Sequence, residues 1–221
     1  MVPADRAVAV AHPSRLIPPA LWASLGPVLV LVRHGRTKAN AAGLLQGRAD
    51  HPLDEVGERQ ARDVTGFVRS ILDERIDQVV SSPLQRAQQT AAGFGVDVTV
   101  DERWIELAYG EYEGVPHADV PSEVWNRWRR DPDYVPSGGE ALSTLDTRVR
   151  AACEELVDEA AERNVVVVSH VSPMKSAVAW ALGVDLSLSW RTHLSVASVC
   201  RIEMRRHGPV LVSFNETACE C

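Results

Sequence analysis

The stretch "VLVLVRHGRTKAN", Val28 to Asn40, opens on five apolar residues and then delivers Arg33, His34 and Gly35 in succession. A short β-branched apolar run bounded by glycine and polar residues reads as a strand buried on both faces. Its abrupt end raises two possibilities: an ordinary strand exit onto the surface, or a site where a charged ligand meets an imidazole.

Working outward, further strands are expected at "DQVVSS", "VDVTV", "VVVVSH", "VASVCRIEM" and "PVLVSFNE". Helices fall between the early ones. Asp54 suits an N-cap ahead of a stripe of Val64, Phe67, Val68, Ile71 and Leu72, while Leu142, Leu145, Val149, Cys153, Leu156 and Ala160 form the same stripe in the longest helix. This alternation predicts an α/β fold, a three-layer α/β/α sandwich on a mostly parallel sheet. Two junctions, "VVSSPLQRA" and "VVVVSHVSPMKSA", run from strand to Ser-Pro to helix, with serine as the expected cap and proline as the first helical residue. They set Arg86 in an opening helical turn and His170 at a strand tip. Open α/β sheets bind ligands at the carboxyl ends of their strands, where Arg33, His34, Arg86 and His170 would all emerge.

The chain has 221 residues, long enough for one α/β domain, placed at 27–221 behind an N-terminal extension at 1–26 with a short helix around "PALWASL". Thirty acidic against 23 basic residues give a net charge of -7, which argues against nucleic acid and anionic membranes as partners. The uncharged run from Ile17 to Val32 is broken by Pro18, Pro19 and Pro27 and falls short of the roughly 20 apolar residues of a spanning helix. Neither a signal peptide nor an anchor is read there. Cys153 and Cys200 sit in a helix and a strand, and "CEC" at Cys219 and Cys221 lacks companion ligands at zinc spacing, so a reducing, cytoplasmic setting without disulfides is expected. The seven histidines show no metal pattern, and His51, His117, His193 and His207 read as surface or hydrogen-bonded residues. No cofactor is called for.

Six motifs, "LVRHGRTKAN", "QGRADHPLDEVGERQA", "VVSSPLQRAQQTA", "DERWIELAYGEYEG", "PSGGEALSTLDTRV" and "VVVVSHVSPM", together resemble in order and spacing the histidine phosphatase superfamily, the phosphoglycerate mutase-like proteins. The likeness runs from about Val28 to Val178 and is nearest the small phosphatases, α-ribazole phosphatases among them. It implies that His34 is the nucleophile and forms a phosphohistidine, with Glu106 as the acid that protonates the leaving group and then activates water. Arg33, Arg86, His170 and Asn40 would bind the phosphate, the arginines by forked guanidinium donors. Thr37 would support the loop. Gly35 would let the main chain come close enough to hold the ring of His34. The implied activity is metal-independent hydrolysis of a small phosphorylated metabolite by a monomer or homodimer, with phosphoglycerate mutase-type transfer as the alternative and a non-catalytic phosphate-binding module as a third reading.

Several features depart from the family or compete with it. Val171 stands where glycine is common, Ala141 where serine is, and Tyr112 where tryptophan is frequent; the first two would reshape the pocket wall. Glu140 reads as structural, near a helix start where it complements the macrodipole. The segment from Val115 to Pro136 would cover the site and is shorter than in mutases, which favours hydrolysis. Within it, "EVWNRWRRDP" reads as an amphipathic helix with tryptophans inward and arginines in water. "CRIEMRR" satisfies the Cys-x5-Arg spacing of cysteine-dependent phosphatases, but lacks the glycines that let amides encircle phosphate.

Overall fold

The computed structural model describes residues 26–218; the helix expected at residues 19–25 and the terminal Cys219 and Cys221 lie outside them. In chain order the elements are β1 (Val28–Arg33), α1 (Lys38–Ala41), α2 (Glu55–Ile71), β2 (Gln78–Ser81), α3 (Gln85–Ala91), β3 (Val98–Val100), α4 (Ser122–Arg130), α5 (Leu142–Glu162), β4 (Val165–Ser169), α6 (Val171–Leu182), β5 (Ser198–Arg205) and β6 (Gly208–Thr217). The sheet order is β3-β2-β4-β1-β5-β6. β1 to β4 run parallel, and β5 is antiparallel to both β1 and β6, so one strand of six opposes the rest.

The period-2 alternation of the central strands divides the core into two layers. Val28, Val30, Val32, Val166 and Val168 face α2 and α3, packing with Val64, Val68, Ala87 and Phe94. Leu29, Leu31, Val165 and Val167 face the other way, against Leu145, Val149, Met174 and Ala177 of α5 and α6. Burial of each such side chain contributes about 1.5–3 kcal/mol, which fixes the register of β1 and β4. The two helical stripes read from sequence are the faces that cover this sheet.

The Ser-Pro junctions differ from expectation. α3 begins two residues after Pro83, with Leu84 as its cap, and α6 begins two residues before Pro173, with His170 as its cap. Proline is accepted at the third helical position because the first N–H groups have no intrahelical partner there. Ser82 Oγ does accept from Leu84 N at 3.3 Å.

Cys200 lies in β5, fully buried, paired in register with Leu31. Burial pushes its thiol up to about 11. Because β5 runs against β1, Arg206 follows the strand at the edge of the sheet opposite His34. The Cys-x5-Arg segment is therefore strand and turn and encloses no ligand.

Candidate active site

β1, β4 and β2 lie side by side and parallel, so their carboxyl ends bring distant residues together. His34 leaves β1 while its backbone N–H still donates to Ser169 O of β4 at 3.1 Å. Its ring centroid is 5.0 Å from that of His170, the residue after β4. Arg86, in the first turn of α3 behind β2, donates from Nε to His34 Nε2 at 3.3 Å.

His34 Nδ1 lies 2.7 Å from the carbonyl oxygen of Gly35, so Nδ1 carries the proton and Nε2 keeps its lone pair. His34 is 3% exposed. Burial, and then the charges of Arg86 and Arg33, hold its pKa well below the ordinary histidine value. The Gly35 carbonyl does hold the ring, and the glycine has a second reason in packing. A Cβ there would collide with the carbonyl oxygen of Gly57, and one on Gly57 with that of Arg36. The glycine pair lets the first turn of α2 approach the loop that carries His34. Asp54 fastens that contact, capping Gly57 N at 2.8 Å and pairing with Arg36 at 2.9 Å.

A pocket of about 100 Å³ opens over this ring, and Arg33, His34, Asn40, Arg86 and Glu106 all line it. The sixth predicted residue, His170, is fully buried beside His34 instead of lining the pocket. Its Nε2 meets Ser82 Oγ at 2.7 Å, while its buried Nδ1 has no partner. Among the described residues the Ser82 hydroxyl proton has no acceptor other than His170 Nε2, and with Ser82 as donor the imidazole is the Nδ1–H tautomer. Burial, with the charge of Arg86, also lowers the pKa of His170 strongly.

Each cation is held by backbone carbonyls. Arg86 donates to Ala49 O at 2.9 Å and Gly47 O at 2.7 Å, and Arg33 to Leu194 O at 2.7 Å, leaving Arg33 Nε buried without a partner. Burial lowers the pKa of Arg33 to about 10, partly offset by Glu106. Asn40 completes a capping box with Thr37: its Oδ1 accepts from Thr37 N at 3.1 Å, which leaves its NH2 as the free donor.

Glu106 follows a 3₁₀ turn at Glu102–Trp104 and is 7% exposed. Its Oε1 accepts from Leu107 N at 2.7 Å and Ser172 N at 3.3 Å, so Oε2 is free. Its backbone carbonyl is clasped from two sides, by Arg48 Nε at 3.2 Å and Arg148 Nη2 at 3.4 Å. Glu140 ties these arginines together, accepting from Arg148 Nε and Nη2 and from Arg48 Nη2, each at 3.0 Å. Glu140 is thus structural, as expected, but through ion pairs and not through the dipole of α5.

Sequence reasoning missed Ser82, Arg48, Arg148, Tyr109 and Ser172. All five stand inside the quoted motifs, yet no local spacing shows that a guanidinium on α5 turns back onto residue 106. His117 is hydrogen-bonded, Nδ1 to Gly43 O at 2.8 Å, but it also lines the pocket. Val171 does form part of the wall. Trp128 is buried, as read, and Tyr112 packs edge-on against it at 5.8 Å. Trp125 is only half-buried, and both tryptophans line a neighbouring cavity. Arg127 and Arg129 sit over the rings of Tyr134 and Trp190 at 4.3 and 5.5 Å. Among the described residues no three metal-ligating side chains cluster, and no helix is long and apolar enough to cross a membrane.

Comparison with known proteins gives a match to the family model described as "Histidine phosphatase superfamily (branch 1)" over residues 29–217. A bifunctional protein of Mycobacterium tuberculosis is 34% identical over 187 residues, 81% of this chain but 51% of the relative, so the chain spans about half the length of that protein. Phosphoserine phosphatase 1 of Hydrogenobacter thermophilus is 34% identical over 197 residues, covering 86% of this chain and 92% of the relative. A probable phosphoglycerate mutase of Cronobacter sakazakii is 33% identical over 192 residues, covering 83% and 87%. Among solved structures, a phosphoserine phosphatase mutant of Entamoeba histolytica in complex with phosphoserine superposes with a TM-score of 0.77 at 25% identity, covering 86% of this chain and 96% of that one.

Proposed function

The chain belongs to the histidine phosphatase superfamily, and from that premise we propose that it is a metal-independent phosphomonoesterase that hydrolyses a small phosphorylated metabolite through a phosphohistidine on His34. The observation that carries this reading is the bond from His34 Nδ1 to Gly35 O, which leaves the Nε2 lone pair met only by the long 3.3 Å contact from Arg86 Nε. A phosphate entering there displaces the long Arg86–His34 contact and takes up its donor.

In the first step Nε2 attacks phosphorus, the ester P–O bond breaks, and Glu106 Oε2 gives its proton to the departing alkoxide. In the second, Glu106 takes a proton from water, the water oxygen attacks phosphorus, and the P–N bond breaks to release inorganic phosphate. Phosphoryl transfer passes through a loose transition state with charge on the peripheral oxygens. Arg33 Nε, the Arg86 fork and the Asn40 amide are the donors for those oxygens from the pocket wall, and His170 Nδ1, unpaired like Arg33 Nε but buried beside His34, is the donor from behind that wall.

Mutase-type transfer is the second reading, since one relative carries that name. The segment expected to cover the site contains only the nine-residue α4, which favours water as acceptor. We further propose a domain spanning 27–221, a cytoplasmic location, a monomer or homodimer, and no nucleic acid or membrane partner. The test is a screen of phosphate monoesters with chelator present and mutase activity assayed alongside, with mass spectrometry of rapidly quenched turnover. Phosphate on His34, lost in His34→Ala, is the expected result. Inactivity toward every ester by a folded protein overturns the reading.

A further inference from the structure

Next to the phosphate pocket lies a second cavity of about 230 Å³ whose walls are mainly aromatic and aliphatic: Tyr109, Trp125, Trp128, Trp190, Leu107 and Leu142. One cation faces it, Lys175 of α6, which also lines the adjoining space shared with Arg33. The Lys175 ammonium donates to Ser189 O at 2.7 Å, using one of its three N–H groups. Among the described residues no carboxylate lies within ion-pair distance of it; Glu106 acts on it only from further away, and Arg33 opposes that. Burial is the main influence on its pKa and lowers it. A half-buried cation without a counter-ion is costly unless a ligand supplies one.

We propose that Lys175 binds a second acidic group on the organic part of the substrate, and that this part is an aromatic or similarly bulky apolar body covered by the indoles. This rests on the phosphomonoesterase reading and narrows it to acid-bearing aryl or bulky esters. The walls supply the second half of the argument. Buried aromatic side chains each remove 150–250 Å² from water; Trp128 is already buried behind the wall, and a three-carbon acid is too small to cover the half-buried Trp125, Trp190 and Tyr109. A bulky body desolvates them together, and in that drier setting its carboxylate gains a charge-assisted bond to the two free N–H groups. Trp125 is held in place for this by stacking with His117 and by edge contact with Trp190.

The test compares kcat/KM for phenyl phosphate, para-carboxyphenyl phosphate and phosphoserine. The native enzyme should prefer the carboxyaryl ester over phenyl phosphate by about tenfold. Lys175→Gln should bring that ratio near one, through KM and not kcat, and Lys175→Arg should restore it. Trp125→Ala should lower both aryl esters relative to phosphoserine. A ratio unmoved by Lys175→Gln, or phosphoserine preferred over the carboxyaryl ester by the native enzyme, overturns the inference. Failure to hydrolyse these three and every other ester of the wider screen overturns the phosphatase reading instead. Calorimetric binding of the two aryl esters to His34→Ala then still reads the Lys175 contrast, and equal affinities there overturn the inference on its own.

Discussion

Lowering the pH from 7 to 5.5 should unfold this protein more readily, by an amount that two rings set. His34 and His170 are both buried, and burial together with the neighbouring arginines depresses their pKa values well below the ordinary one. In the unfolded chain each titrates near 6.5. Below that pH the unfolded state binds more protons than the folded state, so stability rises with pH and is lost as pH falls. The contribution is fully present above 6.5 and declines below it by up to about 1.4 kcal/mol per pH unit for each ring. Integrated from pH 7 to 5.5, the loss is about 1.2 kcal/mol per histidine and about 2.5 kcal/mol for the pair, a large part of a domain stability of about 5–15 kcal/mol. The assay is urea denaturation followed by tryptophan fluorescence across this window, in buffer free of phosphate because an anion bound to the site would mask the effect. Carboxylates with lowered pKa values, such as Asp54 and Asp101, contribute only at more acid pH. His170→Asn and His34→Asn should each remove about half the slope. A flat profile, or a slope that both single variants leave whole, would refute the claim that the folded protein holds two neutral imidazoles at its centre.

Arg86→Ala should reduce kcat by about 10² to 10³ and, by leaving the Gly47 carbonyl unpaired and that of Ala49 with only His51 N, cost about 1–3 kcal/mol in urea unfolding. Gly35→Ala should destabilise by about 1–3 kcal/mol, because its Cβ meets the Gly57 carbonyl, and should lower activity by shifting His34; wild-type values for both would show that the close approach is not needed. Glu140→Gln loosens the two arginines around the Glu106 carbonyl, making Glu140 a positioning residue. Its kcat/KM should fall about tenfold for phenyl phosphate and far less for dinitrophenyl phosphate, whose leaving group needs no proton; an equal fall for both would reject the role. Cys200→Ser should leave turnover intact, and loss of turnover there with His34→Ala active would reverse the assignment of the nucleophile.

The strands and the two long helices could be read from the chain alone because their signals are local. Val28 to Val32 is apolar on both faces, and the stripes from Val64 to Leu72 and from Leu142 to Ala160 recur at the helical period. The motif order then located Arg33, His34, Asn40, Arg86 and Glu106, all of which line one pocket. What tertiary structure alone decided is the set of partners that hold them. Ser82 reaches His170 only because β2 and β4 are neighbours, and Gly57 touches the loop that carries His34 only because α2 folds back on it. Arg148 meets Glu106 across 42 residues of chain, and Lys175 lacks a carboxylate partner only once its neighbours are assembled around it. Periodicity and capping act over a few residues and are written in the order of the amino acids. Hydrogen-bond geometry and desolvation depend on which distant groups share a volume, and that is settled when the two layers close on the sheet.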